Sequence, residues 1–185
     1  MGEITLQVPI DTPKLVQKGC DAMKESPTIP ADLKSYFRPI WFVLKNKTQF
    51  SINPDGTYFY SGCLHGQSSN TGAYGVTGFG ARNSWAGTTG GARFKIKLDQ
   101  HNEVVFVIGF SNPYIGYYGA HIEESSDIEN NGYNKIQENG NNIESVHLYK
   151  GTSSSGIPLK FKLRLSIVSG QTMTITVVQE VWEED

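Results

Sequence analysis

The chain has 185 residues, of which 18% are charged, with 20 glycines and a formal net charge of -2. That length suits one domain with a full core, and a charge-poor, glycine-rich composition points to an all-β globule with many turns. The near-neutral balance excludes recognition of a polyanion by bulk electrostatics, nucleic acid included, and no run approaches the ~18 apolar residues of a membrane-spanning helix.

The opening "MGEITLQVPIDTPK" has no basic start followed by an apolar core, so no secretory signal is expected in this chain. The expected protein is soluble, released, and then active at a target membrane. Residues 1–38 read as an N-terminal amphipathic helical segment and residues 39–185 as a β-sandwich domain. In "IDTPKLVQKGCDAMKES", Thr12 is expected to cap a helix with Pro13 at its first position. Leu15, Val16, Cys20 and Met23 then share one face, with Lys14, Lys18, Asp21, Lys24 and Glu25 elsewhere. Gly19 weakens the helix by about 1 kcal/mol relative to alanine. Pro27 and Pro30 end it. The apolar face suits docking on the domain, or, if the helix detaches, a membrane interface.

From Ile40 the pattern is β. "IWFVL" reads as a buried strand. "TQFSI" alternates and is expected to end at a turn, Asn53-Pro54-Asp55-Gly56. "TYFYSG" reads as a further strand. Residues 62–91 are rich in Gly, Ser, Thr and Asn, with short apolar pieces such as "AYGVTGF", and the glycine-rich "GFGARN" and "GTTGG" within them read as β-turns. "ARFKIKL" places Ala92, Phe94, Ile96 and Leu98 on one face. The apolar run Val104–Phe110 must be covered on both sides and so is central. It stops at Pro113, and Tyr114, Tyr117 and Tyr118 follow at once, where loops gather at the edge of a sandwich. "ESSDIENNGYNKIQENGNN" reads as a long polar loop. "LKFKLRLSI" and "TMTITVV" form a hairpin with Leu159, Phe161, Leu163, Leu165 and Ile167 inward. Short strands without βαβ alternation give an antiparallel β-sandwich, mainly β, with an N-terminal amphipathic helix.

Little in the chain points to catalysis. His65, His101, His121 and His147 are scattered without metal-ligand spacing, so no metal and no cofactor is expected. No GxSxG, phosphate-binding loop or nucleophile–base pair stands out, so no enzyme is expected. Cys20 and Cys63 read as two free thiols packed as small apolar residues, with a single disulfide between them as the alternative. Asn46-Lys47-Thr48 is a sequon of no evident use. The aromatics are the functional signal. Tyrosine and tryptophan join an apolar body to a polar tip, which suits membrane interfaces, sugar faces and quaternary ammonium groups. Trp85, in the glycine-rich "RNSWAGTTGG", is a second such residue with little core-like sequence around it.

The order "VLKNKTQFSI…TYFYSG", "TTGGARFKIKLDQHNEVVFVIGFSNPYIGYY" and "LRLSIVSGQTMTITVV" resembles the actinoporin-like family of pore-forming cytolysins. The specific element is Phe-Ser-x-Pro followed by aromatics, here Phe110, Ser111, Pro113, Tyr114, Tyr117 and Tyr118. The resemblance implies a lipid-headgroup or glycan site at Ser61, Ser111, Pro113, Tyr114, Tyr117, Tyr118 and Tyr133. It also implies a membrane-interface role for Trp85 and a pore-forming helix carrying Leu15, Val16, Cys20 and Met23. The family's paired tyrosines are reduced here to Tyr133, and Gly91 stands where its pocket valine would be. "NKT…GTTG…FSNPYIG" is also similar to the aegerolysins, lipid-binding sandwiches that include insecticidal partner proteins, and fungal fruit-body lectins share the type of fold. The implied partners are membrane lipid headgroups or glycans, further copies of the chain on the membrane, and a second protein. The alternative is a lectin-like module that binds without forming pores.

Overall fold

The computed structural model describes residues 2–184; Met1 and Asp185 lie outside the described residues. The chain forms β1 (Glu3–Ile10), α1 (Thr12–Lys24), β2 (Phe37–Lys47), β3 (Ser51–Ser61), β4 (Cys63–His65), β5 (Val76–Asn83), β6 (Thr88–Lys97), β7 (Glu103–Asn112), β8 (Gly119–Glu123), β9 (Gly140–Glu144), β10 (Leu148–Ser153), β11 (Pro158–Val168) and β12 (Thr172–Glu183). The larger sheet runs β1-β10-β11-β12-β2-β5-β4, with β9 also on β11, and the smaller runs β3-β6-β7-β8. The two pack as a sandwich, as the alternation requires. Most neighbours are antiparallel, but β1 with β10 and β12 with β2 run parallel.

Alternation builds the core directly. Leu159, Phe161, Leu163, Leu165 and Ile167 on β11 and Met173, Ile175 and Val177 on β12 are all buried, as are Phe94 and Ile96 on β6 and Phe106 and Ile108 on β7. Phe161 stacks between Phe50 and Tyr149, at ring distances of 5.8 and 5.2 Å.

The outer face of β7 is covered by residues 124–139, read from sequence as a polar loop. They form helical turns at Ile128–Gly132 and Tyr133–Lys135, laid on the small sheet. The approach is close because two glycines meet: a side chain at Gly109 would collide with the Gly132 carbonyl. Glycine is what lets backbone rest on backbone there.

Several expectations are corrected. Asn53–Gly56 is not a turn: β3 runs through it, with a shift of register between Pro54 and Gly56. Pro54 is tolerated because β3 is an edge strand, and the Asp55 carboxylate accepts from Arg93 Nε at 2.8 Å. "GFGARN" lies within β5 and "TTGG" opens β6, so neither is a turn, and residues 62–91 also hold β4. Residues 3–10 form a strand on the large sheet that the sequence reading did not foresee. Both cysteines are free, but both are exposed rather than packed. Asn46 is buried and donates to the Phe50 and Gly72 carbonyls, which explains it as a structural residue.

The helix turns out differently from its reading. Asp11, not Thr12, is its cap, accepting from Lys14 N at 3.1 Å, and Pro13 stands inside the first turn. It docks through Gly19 and Ala22, with Leu15 packed against the core. Val16, Cys20 and Met23 face outward, Val16 at 71% exposure. The small residues win the contact because Gly19 lies against the Lys47 stem, where only a small group allows helix and strand to approach closely.

Candidate functional site

Three stretches meet at one pole of the sandwich: residues 36–39 entering β2, residues 84–87 between β5 and β6, and residues 113–118 between β7 and β8. β7 ends at Asn112, so Pro113 does mark the end of the sheet. The stretches are bonded to one another. Asn112 Nδ2 donates to the Pro39 carbonyl at 3.0 Å, and Arg38 Nη2 donates to the Tyr114 carbonyl at 3.1 Å. Ser61 Oγ donates to the Gly87 carbonyl at 2.7 Å and accepts from Asn83 Nδ2 at 2.8 Å. A side chain at Gly87 would collide with the Pro113 backbone, so the Trp85 loop and the tyrosine loop lie side by side.

This pole gathers exposed apolar rings and chains. Trp85 is 89% exposed, Ile115 83%, Tyr117 76%, Tyr114 61% and Phe37 39%. Phe37 and Tyr114 pack ring to ring at 5.5 Å. Tyr118 is half-buried. The loops are therefore braced by hydrogen bonds at their bases while their rings point to solvent.

A second group of rings lies on the outer face of the small sheet. Tyr60 and Tyr133 stack at 5.6 Å with an interplanar angle of 14°, and Tyr58 leans on Tyr133 at 5.5 Å. Tyr58 OH donates to Glu129 Oε1 at 3.2 Å. Desolvation first, then the Glu129 carboxylate, pushes the Tyr58 phenol up, and desolvation does the same at Tyr133. Both phenols stay protonated donors, and the rings with Glu129 present an electron-rich surface suited to a cation. Ser111, on β7, pairs its hydroxyl with that of Thr89 at 3.2 Å.

No family model matches this chain, and no curated protein matches it. Among solved structures it is similar to the lipid-binding protein Nakanori, with 12% identity over 91% of this chain and 80% of that one, at a TM-score of 0.49. It is also similar to the lectin XCL of Xerocomus chrysenteron, with 11% identity over 77% of this chain and 99% of that one, at a TM-score of 0.38. None of these matches places the chain in the actinoporin-like family or among the aegerolysins.

The structure thus brings Ser61, Pro113, Trp85, Tyr114 and Tyr117 to one pole, with Tyr118 half-buried beside them. Tyr133 joins Tyr58 and Tyr60 instead. Leu15, Val16, Cys20 and Met23 lie elsewhere, because α1 packs at the Lys47 end of β2 while the aromatic pole is at its Phe37 end. Tyr58 and Tyr60 were not singled out; alternation could have found them, since Phe59 between them packs on the core and leaves both neighbours outward. Phe37, Arg38 and Ile115 were missed: nothing in "YFRPI" separates the first two from an ordinary strand start, and Ile115 stands between the tyrosines of "PYIGYY" as a lone aliphatic residue. Among the described residues no cluster of His, Cys, Asp and Glu is arranged to hold a metal ion, and no helix is long and apolar enough to cross a membrane.

Proposed function

We propose that this protein docks on membrane lipid headgroups through its aromatic pole and, on oligomerising there, releases α1 into the bilayer as a pore-forming cytolysin does. The observation that carries the docking step is the convergence of Phe37, Trp85, Tyr114, Ile115 and Tyr117, all exposed, on three braced loops. Exposed apolar groups collected in one place mark an interaction surface, and Trp and Tyr rings favour the headgroup level of a bilayer. The Tyr58, Tyr60 and Tyr133 face beside it suits a quaternary ammonium. The outward apolar side of α1, Val16, Cys20 and Met23, supports the second step.

A lectin-like module without pores is the competing reading. It needs free hydroxyls around the rings to bind a sugar. Ser61 and Ser111 already spend their hydroxyls inside the protein, on Gly87, Asn83 and Thr89, which favours the lipid.

Sedimentation with vesicles of mixed headgroups tests the docking step. Trp85→Ala and Tyr117→Ala are each expected to weaken binding about tenfold, the ratio set by about 1.5 kcal/mol of ring burial. Thermal stability should change little, since neither ring is in the core. Wild-type protein that ignores every vesicle, or variants that bind like wild type, would remove this reading.

A further inference from the structure

We propose that the aromatic pole contains a phosphate subsite built on Arg38, assisted by Arg82, that holds the phosphate of a membrane phospholipid. The inference rests on the docking reading above and names the headgroup chemistry that the docking surface takes.

The chain has four arginines. Two are neutralised: Arg93 meets Asp55 at 2.8 Å, and Arg164 meets Glu180 at 3.2 Å and Glu144 at 3.5 Å. Arg38 and Arg82, the two at the pole, form no ion pair among the described residues. Arg38 gives one N–H to the Tyr114 carbonyl and stands 5.8 Å from the Phe37 ring centre. Arg82 lies 4.2 Å over the Tyr36 ring, with its Nε buried and without a hydrogen-bond partner. Asp32, in the Arg82 corner, is engaged by His65 at 3.1 Å.

The surroundings reinforce the charge. Residues 33–54, 56–98 and 104–122 contain no Asp or Glu, although the chain has 18 acidic residues in all. All three pole stretches fall inside these carboxylate-free segments. In a protein of net charge -2 none of the three pole stretches thus carries an acid of its own, and the one acid in the Arg82 corner, Asp32, is bonded to His65 rather than to a guanidinium.

Backbone geometry points the same way. Arg38 has φ of 50°, in the left-handed region that a side chain with a Cβ disfavours. It sits where β2 bulges against β5, between the pairs Phe37–Asn83 and Ile40–Ala81. A bulge re-aims a side chain, and strain held at one residue is found at functional sites. Guanidinium matches phosphate with paired N–H donors, and here it stands among rings suited to the headgroup level.

Vesicle sedimentation with three lipid sets tests this: phosphatidylcholine, phosphatidylcholine doped with phosphatidylglycerol, and digalactosyldiacylglycerol, which bears sugar and no phosphate. Wild type is expected to bind the doped vesicles best and the phosphate-free ones least, with the preference fading as salt rises. Arg38→Gln and Arg82→Gln should each weaken binding to the doped vesicles about fivefold, and Arg38→Lys should retain most of it. Arg38→Gly suits the left-handed backbone, so it should keep or raise the melting temperature while losing the phosphate preference. Inorganic phosphate alone should leave the melting temperature unchanged, which separates a lipid site from a site for free phosphate. Equal binding to all three vesicle sets, with Trp85→Ala still defective, would overturn the phosphate subsite and leave the docking surface standing. A folded Arg38→Gly that binds like wild type would also overturn it. Absence of binding to any vesicle would remove both.

Discussion

Trp85 and Phe161 are comparable aromatic groups at opposite extremes of exposure, 89% and 0%. The sequence distinguishes them by context. Phe161 stands in strict alternation, whereas Trp85 stands among Gly, Ser, Thr and Asn with no periodic partner. The same logic made Tyr114 and Tyr117 legible, since both follow the proline that ends a strand. It failed for Arg38, whose proposed role depends on a bulge and on the absence of carboxylates from distant segments, and neither is a local pattern. Asp99 shows what a single polar residue does in this fold. Its side chain accepts from Asn102 Nδ2 at 2.9 Å and from the His101 and Asn102 backbone N–H groups, both at 2.8 Å. These bonds, that to the Asn102 side chain first, hold its carboxyl at about 2, below the ordinary value of 3.8. The unfolded chain therefore binds the proton more readily than the folded one. The stabilisation is complete above pH about 4 and is lost as pH falls through about 2. Denaturant titrations over that range should show a shallower acid loss for Asp99→Asn than for wild type. Glu123, Glu144 and Glu184, each held low first by a lysine, would supply the slope that remains.

Elements with one buried and one exposed face were read well: β6, β11 and β12 follow their alternation through most of their length. Three kinds of element were not. β3 passes through a Pro-Asp-Gly sequence that elsewhere makes a turn, because its edge position and the Asp55–Arg93 pair stabilise a bulge instead. β4 is only three residues long, and β5 is rich in small residues because other groups pack on it: a side chain at Gly78 would strike the Trp41 ring, and one at Gly80 would strike Leu33. Hydropathy has no signal for a strand whose outer face is lined by glycine. α1 docks by its smallest residues, so its apolar stripe marks the free side rather than the packed one. The cover over the small sheet obeys the same rule of close approach, and it gives a test at this scale. Gly109→Ala would drive a methyl group into the Gly132 carbonyl and lift residues 124–139 from β7. The expected loss is about 1–3 kcal/mol in denaturant unfolding, with Tyr133 separating from Tyr60. Near-ultraviolet circular dichroism of the tyrosines would report that separation; an unchanged spectrum and midpoint would mean the contact is not tight.

On the proposed function the whole molecule has two working ends. β2, 11 residues long, extends about 36 Å at 3.3 Å per residue between them. The aromatic pole is at its Phe37 end, and α1 lies near its Lys47 end. A molecule docked by the rings therefore holds the helix about 30 Å from the bilayer. α1 has 13 residues, about 20 Å long, so pore formation requires it to travel and its ends to extend. Residues 25–36 would have to peel from Trp41 and Gly78, and extended they reach about 40 Å. β1 would leave with them, which its edge position permits without breaking another strand pair. Release can be blocked at one point. A Cβ at Gly19 would stand 3.8 Å from Cβ of Lys47, the separation of a disulfide-bonded pair. In a background with Cys20→Ser and Cys63→Ser, the pair Gly19→Cys and Lys47→Cys should therefore tie α1 to β2 when oxidised. Oxidised protein is expected to sediment with vesicles like the background protein yet fail to release calcein from them, and a reductant should restore release. Calcein release by the oxidised protein at the background rate would show that perforation does not use α1, and release by neither form would leave a membrane-docking module that forms no pore.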